Sequence, residues 1–162
     1  MLERVLPLAF AIGPSIVYDL IRRRMGEIIP LNTLLGIEIV SIGDGVAQAR
    51  VPFRTELTNH LGTMHATAIF GVAEAASGAA MSGAFAPVIL RIRPVAVNAT
   101  IAFSKMVRSD LTAHGRTSES SQELRAKLAD TGKVVFDVTV DLRDASEADV
   151  AQVTVAWHVT SK

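Results

Sequence analysis

The chain contains no cysteine, which excludes disulfides, a thiol nucleophile and thiolate metal sites, and leaves the redox compartment open. Aromatic residues make up only 5% of it, formal net charge is zero and no long basic run occurs, so nucleic acid is not expected as a partner. No secretory leader is expected either. The apolar run from Val5 to Ile12 is short, follows Glu3 and Arg4, is interrupted by Pro7 and ends at Gly13-Pro14, so the cytoplasm is the expected location. Between Pro52 and Pro87 there is no proline at all. What is present describes a globular chain of 162 residues, 49% apolar and 20% charged, long enough for one domain with a sizeable core.

The proline-free region contains the stretch that organises the rest. From Leu61 to Leu90 only His65 and Glu74 are ionisable, and Met64 to about Phe85 is rich in Ala, Met, Ile, Phe and Val, which reads as a helix. Being apolar nearly all round, that helix is expected to be buried on every side. Glu74 lies in its middle, where an unpaired carboxylate is costly or has its pKa pushed up. A membrane span is disfavoured by a mid-span acid and by amphipathic strands downstream, so no stable membrane span is expected. A structural carboxylate satisfied inside the core, or one facing solvent through a gap, remains an alternative. Asn59, His60, Gly62, Thr63 and His65 precede the helix where its N–H groups are free, and with a buried acid they look like a site.

Upstream, Leu2 to Phe10 has the spacing of a short helix, ended by Gly13-Pro14. Ser15 is placed to cap a second helix carrying Ile16, Val17, Leu20 and Ile21, with Arg22, Arg23 and Arg24 as a solvated basic end closed by Gly26 and Pro30. Residues 1–32 thus read as an N-terminal helical extension on a main domain of residues 33–162. From Leu35 to Phe53 the period becomes two, and Gly43-Asp44-Gly45 marks a hairpin whose Asp-Gly pair supplies positive φ angles. After the helix, Pro94 introduces a strand with Val95, Val97, Ala99, Ile101 and Phe103 on one face. Leu111 to Arg116 is a shorter strand, and Ser120 with Glu123 has capping-box spacing before a helix closed by Gly132. Val134 to Leu142 and Val153 to Val159 alternate most clearly of all.

Five or six strands usable in an antiparallel sheet, and one long helix to be hidden, imply an α+β fold in which a curved sheet wraps the helix. That order, with NHLGTMHATAIFGVAE from Asn59 to Glu74, resembles the hotdog-fold acyl-CoA thioesterases of the phenylacetyl-CoA thioesterase type. The resemblance covers roughly Leu35 to Val159. It implies an acyl-CoA substrate, no cofactor, no metal, and a homodimer or dimer of dimers with sites at the interface. Many relatives have Gly where this chain has Ala66, and a Ser or Thr where it has Ala96.

The implied chemistry is hydrolysis of a thioester. The Ala66 N–H, at the positive helix end, would polarise the carbonyl, while Glu74 would take a proton from water or attack the carbonyl itself. Asn59 would orient the water or the carboxylate, and His60 and His65 would either contribute or hold the loop. Gly62, Thr63 and Phe70 are candidate substrate contacts, and Arg91, Arg93, Lys105 and Arg108 are candidates for the phosphates of CoA. Eight residues separate Ala66 from Glu74, about 12 Å along a helix, so each Glu74 is expected to face the Ala66 of a second chain across an antiparallel helix pair. Two rivals remain. His60 and Glu74 have the fourteen-residue separation of hotdog dehydratases, without their proline-rich loop, and a module binding acyl-CoA without turnover would equally suit the fold.

Overall fold

The computed structural model describes Phe10 and residues 13–162. The helix expected over residues 2–10 therefore lies, apart from Phe10, outside the described residues. Helix α1, Pro14–Ile28, begins on a proline, whose fixed φ and missing N–H suit a first helical position. Gly13 holds the cap position, so the expected Ser15 cap is corrected: no side chain caps this helix. Gly26 does not close it either. The helix runs on to Ile28, and Pro30 opens a second short helix, α2, Pro30–Leu35, ended by Gly36 at φ 70. The arginine cluster is paired along its own helix, Arg22 and Arg23 with Asp19 and Arg24 with Glu27.

Strands β1, Glu38–Ile42, and β2, Val46–Val51, form the expected hairpin. Only Gly45 of the Asp-Gly pair takes a positive φ (73), because Gly alone does so without a Cβ clash. The central helix α3 spans Ala66–Ala84, followed by β3, Ile92–Phe103, β4, Leu111–Thr117, helix α4, Ser121–Thr131, then β5, Lys133–Asp144, and β6, Asp149–Ser161. The six strands make one antiparallel sheet in the order β1-β2-β4-β5-β6-β3.

Alternation decides the two faces. Ala47, Ala49 and Val51 of β2, Leu111 and Ala113 of β4, Val134 to Leu142 of β5 at every second position, and Val153 to Val159 of β6 likewise are buried on the inner face. Helix α3 lies across that face, chiefly on β2 and β4. Small residues let it come close: a Cβ on Gly115 would stand 2.9 Å from the Ala76 carbonyl oxygen and 3.5 Å from the Ala80 Cβ. Helix α4 has the expected capping box, with the Ser120 hydroxyl accepting from the Glu123 N–H and Gly132 ending it at φ 72, and it buries Leu124 and Leu128.

Strand β3 departs from the simple alternation. It starts at Ile92, before Pro94, and pairs only with β6, leaving its other edge open, where a proline is tolerated. A bulge at Val97 shifts the register between Ala96, opposite Trp157, and Asn98, opposite Ala156. Val95, opposite the outward His158, is therefore on the other face from Ala99, Ile101 and Phe103, which align with the inward Val155, Val153 and Ala151. Within one chain that face is only partly covered: Ile101 packs against the core, whereas Ala99 is exposed and Phe103 is 50% exposed.

A candidate active site at the amino end of the central helix

The approach to α3 is built locally. After β2 a 3-10 turn at Thr55–Leu57 leads into a tight loop closed by a bridge between Thr58 and Met64. Inside it the Gly62 N–H donates to the Asn59 carbonyl (3.0 Å), the Asn59 N–H donates to the Thr63 carbonyl (2.9 Å), and Gly62 sits at φ 67. The Asn59 side chain is folded into the same loop. Its Oδ1 accepts from the Leu61 N–H (2.9 Å) and Thr63 N–H (3.3 Å), and its Nδ2 donates to the Thr63 hydroxyl (2.9 Å), which is itself buried. Asn59 and Thr63 thus hold the loop, and His60 and Leu61 are exposed at its tip.

His65 is the cap of α3. Its Nδ1 accepts from the Thr67 N–H (3.1 Å) and its carbonyl accepts from Ala68 (2.9 Å) and Ile69 (3.1 Å). Three of the first four N–H groups of the helix are thereby satisfied by one residue. The fourth, that of Ala66, has no acceptor among the described residues, and Ala66 is exposed. An unpaired N–H at the positive end of a 19-residue helix is a donor for an anionic oxygen.

The helix is not buried on every side as expected. Ala75 through Phe85 are buried, whereas Ala66 and Thr67 are exposed and Phe70, Gly71 and Glu74 are half-buried. Ala66, Phe70 and Glu74 succeed one another at steps of four, so they share one face, and that face is open in a single chain. No described residue donates a hydrogen bond or forms an ion pair to the Glu74 carboxylate, and burial pushes its pKa up with no charge opposing it. The Glu74 backbone is tied more firmly. Its carbonyl accepts from the Ser77 hydroxyl (2.8 Å), which in turn accepts from Trp157 Nε1 (3.3 Å), a link to β6 that spacing along the sequence does not reveal.

The four cations are not brought together within one chain. Arg91 and Arg93 lie at the start of β3, Lys105 and Arg108 beyond its end, roughly 35 Å away along a twelve-residue strand. Lys105 and Arg108 border the helix start, because the Val107 carbonyl accepts from the Met64 N–H (2.8 Å). Among the described residues no group of three or more His, Asp or Glu side chains is placed to hold a metal ion, and no helix is long and apolar enough to cross a membrane.

An antiparallel sheet laid over a long helix, with a free N–H and a half-buried acid on the helix's open face, defines a hotdog domain of the kind found among thioesterases. The chain belongs to the family described as domain of unknown function DUF4442, whose model matches residues 19–159. Among solved structures it resembles a Pseudomonas aeruginosa protein of unknown function described as a probable thioesterase, at 24% identity and TM-score 0.76, covering 89% of this chain and 95% of that one. The E. coli PaaI protein from the phenylacetic acid degradation operon matches at 20% identity and TM-score 0.68, over 84% and 88% of the two chains. A thioesterase from Haemophilus influenzae matches at 17% and TM-score 0.66, over 81% and 82%. These likenesses establish the hotdog fold. No curated protein matches the chain.

Proposed function

We propose that the protein hydrolyses acyl thioesters of coenzyme A at a site completed by a second copy of the chain. One observation carries the reading: the Ala66 N–H left unpaired by the His65 cap lies on the same open helix face as the unpartnered Glu74 carboxylate. In the reaction, Glu74 takes a proton from water while the water oxygen bonds to the carbonyl carbon. The carbonyl oxygen becomes an oxyanion held by the Ala66 N–H. Collapse breaks the C–S bond, and the proton on Glu74 goes to the departing thiolate, leaving free acid and thiol. A raised pKa suits both halves of this exchange.

Eight residues of unbroken helix put Ala66 and Glu74 about 12 Å apart along the axis, too far for both to serve one carbonyl. The partner supplies the other half. Support for a two-fold pair comes from the open face of α3 together with the free edge of β3, where Ala99 and Phe103 on the inner face are exposed. Arg93 of one chain and Lys105 of the other would then serve the coenzyme phosphates. His60, at an exposed loop tip, is poorly placed to act with Glu74 as a dehydratase pair.

The test is incubation with a panel of acyl-CoAs and a thiol reagent. Release of free thiol, lost in Glu74→Gln, is expected. Hydration of enoyl thioesters without thiol release, or binding without turnover, would replace the reading with one of its rivals.

A further inference from the structure

Two glycines of α3 mark where the N-terminal helices cross it. A Cβ on Gly78 would stand 3.9 Å from the Met25 Cε of α1, and one on Gly71 would stand 2.9 Å from the Leu35 Cδ1 of α2. The chain from Met25 to Leu35 therefore travels along α3 from the level of Gly78 back to that of Gly71. Asn32 precedes Leu35 by three residues, so it shares a face of α2 with Leu35 and sits one turn earlier. That places it beside the turn of α3 between the two glycines. Gly71, Glu74 and Gly78 follow one another at helical spacing on one side of α3, and Glu74 is the polar side chain of that turn.

Asn32 is 4% exposed, and its Nδ2 has no acceptor. Its backbone is engaged, the N–H donating to the Ile29 carbonyl (3.1 Å) and the carbonyl accepting from the Ile37 N–H (2.8 Å). A buried amide donor without an acceptor is rare and costly in a folded protein. The Glu74 carboxylate, for its part, has no donor among the described residues. We propose that Asn32 is the positioning residue of the Glu74 site: its Nδ2–H donates to the Glu74 carboxylate across one bound water and fixes which oxygen takes the proton. This rests on the reading of Glu74 as the general base.

The surroundings of Glu74 hold little else that titrates. Helix α2 has no ionisable side chain, and Asp19, Arg22, Arg23, Arg24 and Glu27 of α1 pair with one another. Tyr18 of α1 lies by Asp44 and Arg125, and Arg125 donates to the Ala84 carbonyl at the far end of α3. Arg54 donates to the Leu34 carbonyl (3.2 Å), and His65 caps α3. The strands beneath α3 present Ile39, Ala47, Ala49, Val51 and Ala113, and β6 presents Trp157.

The deciding experiment is an NMR titration of the Glu side-chain carboxyl groups in the full chain, with Glu74 assigned by Glu74→Gln, in wild type, Asn32→Asp and Asn32→Ala. Asn32→Asp sets a second carboxyl against Glu74, and the pair should titrate in coupled steps with the upper midpoint higher by about one pH unit or more. Asn32→Ala removes a donor to the charged form and should also move the midpoint up. A folded Asn32→Ala protein whose Glu74 titrates as in wild type overturns the proposal. Turnover gives an independent reading, with kcat of Asn32→Ala expected to fall about tenfold or more at unchanged KM. If wild type cleaves no thioester, the proposed function fails while the titration still decides the role of Asn32.

Discussion

Replacing Ala66 with proline puts a ring methylene where the amide hydrogen of the proposed site was and leaves the other bonds of the helix start in place. Proline is favoured at the first position of a helix, and Ala66 is that position in α3. The residue before a proline must be extended, and His65 already is, at φ −67 and ψ 141. The lost N–H has no acceptor among the described residues, and the cap bonds from Thr67, Ala68 and Ile69 to His65 are untouched. Stability should therefore change by no more than about 1 kcal/mol, with the stiffer unfolded chain pulling toward a gain. If the N–H holds the oxyanion, its loss should cut kcat by roughly 10²- to 10³-fold, about 2.7–4 kcal/mol of transition-state stabilisation. The assay is thiol release from an acyl-CoA beside a thermal melt of the same preparation. An Ala66→Pro protein that melts like wild type and hydrolyses as fast would refute the oxyanion assignment, and one that loses its fold would show that this N–H is structural.

Mixing Ala66→Pro chains with Glu74→Gln chains should restore activity on subunit exchange, since each heterodimer holds one intact pair; proven exchange without recovery would mean each chain carries a complete site. Glu74→Gln should also be more stable than wild type at neutral pH. Burial raises the Glu74 pKa, so the folded chain binds that proton more tightly than the unfolded chain, and stability falls as pH rises above the ordinary carboxylate range. The two proteins should converge in acid, and equal denaturant midpoints at every pH would contradict this. Ser77→Ala strips the acceptor from Trp157 Nε1, a buried donor on the sole tryptophan, and should cost about 1–2 kcal/mol with a shifted emission maximum; an unchanged melt and spectrum would show that the Trp157 link contributes nothing to stability. Phe103→Lys should produce monomers by sedimentation if β3 is covered by a partner. Arg93→Ala and Lys105→Ala should raise KM for CoA thioesters and leave short pantetheine analogues alone, equal effects on both excluding a phosphate role.

Local chemistry made much of this molecule legible before any fold was seen. The alternation of Val134 to Leu142 and of Val153 to Val159 specified strands and faces, and Ser120 with Glu123 specified a capped helix, because period and capping depend only on neighbours along the chain. An apolar, proline-free run holding a single acid marked the central helix and Glu74, and His65 just ahead of it marked the helix start. Other features depended on which groups meet in space. Whether Asn59 was free to act was decided by Thr63 and Leu61 taking up its amide, and Ala66 became the one unpaired donor because His65 served the other three. The bulge at Val97 turned Val95 away from Ile101 although the letters alternate without a break. Strand length carried Arg93 and Lys105 apart, and the packing of the N-terminal helices buried Asn32. Side-chain type and period are written along the sequence, whereas burial and the competition of donors for acceptors belong to the packed chain, and it is those two that set which polar groups are left for chemistry.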